Sequence, residues 1–133
     1  MTTVLLVDDE PEALAAWQTI CEGAGYETVT AENGEVALSI LHHRSVDMVV
    51  ADWRMPVMSG SVLCHHMRNE APLSNISFVL VSGEPSPPAF VRYDGFLRKP
   101  LDPPELLQTM SRLLADQKSW RAAIRSSSPP RGD

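Results

Sequence analysis

Short apolar runs alternate along the chain with longer stretches whose apolar residues return every three or four positions. Strands are predicted at Thr3–Val7, Glu27–Thr30, Asp47–Ala51, Ile76–Val81 and Gly95–Leu97, the third centred on Met48-Val49-Val50. Pro11 opens a first helix in which Leu14, Trp17, Cys21 and Ala24 recur at helical spacing, and Gly23 and Gly25 close it. Asn33 caps a second helix with Val36, Ala37, Ile40 and Leu41 on one face, and Ser59 caps a third carrying Val62, Leu63 and Met67. The last helix has the clearest start, with Asp102 as cap, Pro103 in the first helical position and Glu105 three residues on. It runs to about Ile124, where a Ser/Pro-rich stretch ends it. Strands that are apolar throughout, separated by amphipathic helices, imply a parallel sheet covered on both faces, a doubly wound α/β domain.

Composition adds bounds rather than detail. At 133 residues, 44% of them hydrophobic, the chain is one domain that needs neither metal nor disulfide to hold a core. Residues 1–125 form that domain, and 126–133 read as a flexible tail or truncated linker. A net charge of −6 argues against direct nucleic-acid binding, which needs clustered Lys and Arg. No apolar run reaches membrane-spanning length and no basic leader precedes the first strand, so the expected location is cytoplasmic. Cys21 and Cys64 lie far apart on helices and are expected as buried thiols. The pairs His42-His43 and His65-His66 also lie on helices and read as solvated or half-buried, neither phosphodonors nor metal ligands.

The candidate chemistry lies where strands end. Asp8 and Asp9 follow the first strand, Asp52 the third, Ser82 the fourth and Lys99 the fifth, immediately before Pro100. Ligands of such sheets bind beyond the carboxyl ends of the strands, where strand order reverses. If the order is 2-1-3-4-5, the five side chains converge on one site. Three carboxylates a few ångströms apart repel one another, and a hard divalent cation relieves that repulsion; an oxygen-only site suits magnesium, with manganese as an alternative. Lys99 adds positive charge. The set suits phosphoryl transfer, where catalysis is alignment plus neutralisation of phosphoryl charge, and a carboxylate can serve as nucleophile. Singly, each residue has a plainer role: an acidic helix entry, a loop residue, a turn former, a surface charge. Jointly they would need five coincidences at one sheet edge.

These residues carry a family likeness. Leu5-Leu6-Val7-Asp8-Asp9, the segment from Asp52-Trp53-Arg54-Met55-Pro56 to Ser59-Gly60, Val81-Ser82-Gly83 and Phe96-Leu97-Arg98-Lys99-Pro100 together resemble the receiver domain of two-component response regulators, over residues 1 to about 115. The resemblance implies a flavodoxin-like fold of five parallel strands in order 2-1-3-4-5. It implies that Asp52 accepts a phosphoryl group from a phosphohistidine on a histidine kinase or phosphotransfer protein. Asp9 would ligate magnesium directly, and Asp8 directly or through water, with Asp52 and the Arg54 backbone carbonyl as further ligands. Ser82 and Lys99 would contact the phosphoryl oxygens, and Pro100 corresponds to a proline, often cis, that aims the lysine. Ser82 and Phe96 would form a switch in which the ring turns inward when the hydroxyl moves toward phosphate. Such a domain is a phosphoacceptor, with at most self-dephosphorylation, and acts on a downstream protein.

The departures from that pattern carry expectations of their own. Phe96 stands where tyrosine is more usual, which removes the phenol from the inward state. The Ser82–Lys99 segment is several residues shorter than usual and holds Pro85, Pro87 and Pro88. The helix between the fourth and fifth strands is therefore expected as a turn or two around Ala89–Tyr93, or absent, and the usual output face as remodelled. Arg54 and Glu84 occupy positions that tune phosphate lifetime. In the long last helix, Leu106, Leu107, Met110, Leu113 and Leu114 belong to the core, while Trp120 and Ile124 lie beyond it and would serve a homodimer contact or a docking surface. No output domain follows, so the chain reads as a stand-alone regulator or a fragment cut at its tail. Two rivals remain. A magnesium-dependent phosphohydrolase with an aspartyl nucleophile needs an acid two residues after Asp52, where Arg54 stands. A degenerate receiver would bind partners without being phosphorylated.

Overall fold

The reason the sheet is central lies in its strands: every residue of β1 (Thr3–Val7), β3 (Met48–Asp52) and β4 (Ser77–Ser82) is buried. Successive side chains of a strand point to opposite faces, so a strand buried throughout needs a layer on each side. In the computed structural model, which describes residues 1–85, 88, 89 and 91–126 (side chains of 118–126 excepted), both layers are present. Leu5, Val7, Val49, Ala51, Phe78 and Leu80 face one of them, with Ala37, Leu41, Leu63 and Met67 from α2 (Gly34–His43) and α3 (Gly60–Arg68). Val4, Leu6, Met48, Val50, Val79 and Val81 face the other, with Trp17 and Cys21 of α1 (Pro11–Gly23) and Leu106, Met110 and Leu113 of α4 (Pro103–Ser126). With β2 (Glu27–Ala31) and β5 (Gly95–Arg98), the five strands are all parallel, in order β2-β1-β3-β4-β5. This is the flavodoxin-like doubly wound sheet the sequence predicts.

Caps and breakers fall where expected. Pro11 starts α1, and Gly25 at φ 94° takes the chain out of it. Asn33 and Ser59 each accept a hydrogen bond from the backbone N–H three residues on. Two helix-face assignments need correction. Ala24 is not on the buried face of α1 but forms its exposed C-cap. Val36 is exposed, as is Val62, because each lies one helical step of about 100° off the side on which Ala37, Leu41, Leu63 and Met67 reach the core. Cys21 and Cys64 are free, buried thiols, and burial raises the pKa of both.

Between β4 and β5 there is no helix among the described residues. Val91 and Tyr93 lie against the core from this connector, and the Tyr93 ring sits 6.0 Å from that of half-buried Phe96. The end of the connector is fastened by Arg68, a guanidinium with only 9% of its side chain exposed. It donates to the carbonyls of Arg92, Ser74 and Ile76 at 2.8–2.9 Å and to Asp94 Oδ2 at 2.7 Å. The same Asp94 oxygen accepts the Phe78 N–H at 2.7 Å, so one carboxylate joins α3, β4 and the entry to β5. Trp120 and Ile124 lie on α4, where side chains fall outside the described residues.

Candidate functional site

Register brings the predicted residues to one edge. Val7 pairs with Ala51 and Asp52 with Val81, so Asp8 leaves β1 level with the end of β3, while Ser82 pairs with Arg98, the residue before Lys99. The backbone N–H of Lys99 donates to the Ser82 carbonyl at 2.9 Å, fixing where the lysine side chain departs. The Lys99–Pro100 peptide is cis. At the back of the site the backbones are packed tightly enough that residue 60 must be glycine. A Cβ there would lie 2.3 Å from the Asp52 carbonyl oxygen.

Lys99 Nζ is the centre of the arrangement, 3.0 Å from Asp8 Oδ2 and 3.2 Å from Asp52 Oδ1. Asp8 is fully buried; its other oxygen accepts the Glu10 N–H at 2.9 Å. Burial pushes the Asp52 carboxyl up to about 6; the charges of Asp8 and Asp9 add to the rise, and Lys99 opposes it. For Lys99, burial works downward but is outweighed by Asp8 and Asp52, and the net shift is upward. Trp17, read from the sequence only as a core residue, places its ring centroid 5.7 Å from the same ammonium. Ser82 is buried, and its hydroxyl accepts the Glu84 N–H at 3.0 Å.

Glu84 in turn pairs with Arg54, whose Nε lies 2.7 Å away and whose guanidinium sits 4.5 Å above the Trp53 ring centroid. The two positions left as separate tuning residues in the sequence are thus joined across the connector. The carboxylates of Asp8, Asp9 and Glu10 offer oxygens within 4.8 Å of one another, beside a cleft of about 320 Å³. An all-oxygen, anionic set with one buried member fits a hard divalent cation such as magnesium or manganese. Glu10 is the member that sequence reasoning missed, although it directly follows the acidic pair. His42 pairs with Glu70 at 2.7 Å, away from this edge, and the described residues include no other three-carboxylate or histidine–cysteine cluster.

The chain matches a family model, that of the response regulator receiver domain, over residues 4–111. The chain belongs to that family. Receiver domains are generally phosphoacceptors rather than enzymes, and they typically bind magnesium at an acidic site of this kind. Among curated relatives, the transcriptional regulatory protein GlrR of Escherichia coli K12 is 32% identical over 134 residues, covering 95% of this chain and 30% of GlrR. The phosphate regulon transcriptional regulatory protein PhoB of Pseudomonas aeruginosa is 26% identical, over 84% of this chain and 51% of PhoB. The chain therefore spans from 30% to 51% of the length of those relatives. Among solved structures, chemotaxis protein CheY4 of Vibrio cholerae is similar at a TM-score of 0.80 and 30% identity, over 85% of this receiver and 98% of that chain. The signal receiver domain of a histidine kinase from Syntrophus aciditrophicus gives 0.82 and 26%, over the full length of both. Among the described residues of this receiver, no helix is long and apolar enough to cross a membrane.

Proposed function

We propose that this receiver accepts a phosphoryl group on Asp52 from a phosphohistidine of a histidine kinase or phosphotransfer protein, with magnesium or manganese held at the acidic edge. The observation that carries this reading is the Lys99 ammonium bridging the buried Asp8 and Asp52. An Asp52 oxygen attacks phosphorus and forms the acyl phosphate O–P bond. The N–P bond breaks, its electron pair stays on the imidazole nitrogen, and the ring, protonated on its other nitrogen, leaves as neutral imidazole. Asp8, Asp9 and Glu10, with Asp52 and the Arg54 carbonyl, would hold the cation; when bound, it neutralises charge on the phosphoryl oxygens. Lys99 and Ser82 take up the remaining phosphoryl oxygens, and Phe96 follows Ser82 as the switch. The domain of residues 1–125 acts in the cytoplasm through protein contacts, with a homodimer as one form of contact.

A partner-only role has one observation in its favour, the connector without a helix among its described residues. The two readings separate on one experiment. Incubation with acetyl phosphate and magnesium is expected to add one phosphoryl group, detected by intact mass, and Asp52→Asn to abolish it. Unchanged labelling in the variant sinks the assignment to Asp52; no labelling of the parent chain favours the partner-only role.

A further inference from the structure

Resting on that reading, we propose that Trp17 is a positioning residue that holds the Lys99 ammonium at the site through the face of its indole ring. The ammonium has three neighbours that attract it: Asp8 Oδ2 at 3.0 Å, Asp52 Oδ1 at 3.2 Å and the Trp17 ring centroid at 5.7 Å. The three arise from separate elements, the ends of β1 and β3 and the middle of α1. A cation within about 6 Å of an indole centroid is attracted by the ring quadrupole, and the attraction grows where water is excluded. Here water is excluded from one side of the pair, since Trp17 is only 4% exposed while the Lys99 side chain is 27% exposed. The contrast within the molecule is the Arg54–Trp53 pair, whose guanidinium is mostly in solvent.

The ring matters because the other two partners change during the reaction. The Asp52 carboxylate loses its own anionic charge when one of its oxygens becomes the bridging oxygen of the acyl phosphate. Asp8 belongs to the acidic cluster that would share its charge with a cation. Both carboxylates therefore weaken their hold on Lys99 as transfer proceeds, and the uncharged ring does not. Lysine has a flexible four-carbon stem, so an ammonium passing from its carboxylates to the phosphoryl oxygens would otherwise spread over many rotamers on the way. Trp17 restricts it to the space from which it reaches the phosphoryl group. A leucine in the same place would keep an apolar contact with the core between α1, β1 and α4, with less volume, and would supply no such attraction.

The test replaces Trp17, by site-specific incorporation, with mono-, di- and trifluorotryptophan, which weaken the quadrupole stepwise with little change of shape. The rate of Asp52 labelling by acetyl phosphate is expected to fall in step, by about threefold to tenfold across the series, with melting temperature nearly constant. A second readout needs no metal and no phosphate. The chain has only two lysines, Lys99 and Lys118, so ¹³C-lysine gives two side-chain signals, assigned with Lys99→Arg. The Lys99 Cε–H signal is expected upfield from the ring current and is expected to return toward the free-lysine value in Trp17→Leu. Flat rates across the fluorinated series, or a Lys99 signal at the free-lysine position in the parent chain, overturn the proposal. If the parent chain takes no label, the phosphoacceptor reading fails instead, and the lysine signal alone decides Trp17.

Discussion

At the scale of single residues, the buried Asp52 carboxyl carries a cost in stability. Its carboxyl titrates near 6 in the folded chain against 3.8 ordinarily, so the native state binds that proton more tightly than the unfolded state does. Stability of the metal-free protein should therefore fall as pH rises from about 4 to about 6 and stay reduced above, by about 2–3 kcal/mol at roughly 1.4 per unit. Asp52→Asn removes the charge, so its advantage over the parent should be small near pH 4 and reach about 2 kcal/mol near pH 8. Urea denaturation in chelator at the two pH values measures it; an equal advantage at both would refute the charge argument. Val57 bears a different cost. It is a β-branched residue at φ 70°, 73% exposed, in the turn between Asp52 and α3. The left-handed conformation costs an L-residue about 1–2 kcal/mol, and Val57 has little buried contact to offset it. Val57→Gly should raise the denaturation free energy by about 1 kcal/mol, and a loss of stability would show that the side chain is supported.

Elements, by contrast, differ in how openly the sequence declares them. Strands such as Val4–Val7 and Met48–Ala51 are legible because burial on both faces demands an unbroken apolar run. The acidic edge is legible for a related reason: polar residues that end apolar strands must lie at the sheet's rim. Helix faces are less so. Val36 sits about 100° round α2 from Ala37, at the margin of the apolar stripe, and the period alone does not say on which side of that margin burial ends. Arg68 was wholly hidden, since its partners are backbone carbonyls from residues 74, 76 and 92, which have no sequence signature. Its role follows from the connector. Without a helix among the described residues to seat β5, the guanidinium and Asp94 hold the strand's entry instead. Arg68→Met keeps the stem's packing and removes the donors, and should cost about 2–3 kcal/mol for the charged hydrogen bonds. Hydrogen exchange should rise most at residues 91–95. Uniform loosening across the sheet would contradict a local clamp.

For the molecule as a whole, Lys99 is where chemistry and connector meet. Its ammonium binds the ends of β1 and β3, and its backbone N–H binds Ser82, whose hydroxyl accepts from Glu84, the partner of Arg54. The connector is thus pinned near the site through Glu84 and at its far end through Arg68, with Phe96 two residues beyond Asp94. A hydroxyl drawn from Glu84 toward a phosphoryl oxygen would release the near pin alone. Binding of the cation is a separate matter. In the proposed function it rests on the carboxylates of Asp8, Asp9 and Glu10, and removing a nearby ammonium makes that cluster more negative. Lys99→Ala should therefore keep the magnesium-dependent stabilisation, read as a rise in melting temperature, which by mass action is worth about 2.7 kcal/mol at a hundred times the dissociation constant. The same variant should lose the response of Phe96 to beryllofluoride, followed by a ¹⁹F label on that ring. Loss of magnesium stabilisation together with a normal Phe96 response would reverse the division of labour argued for Lys99 and the acidic cluster.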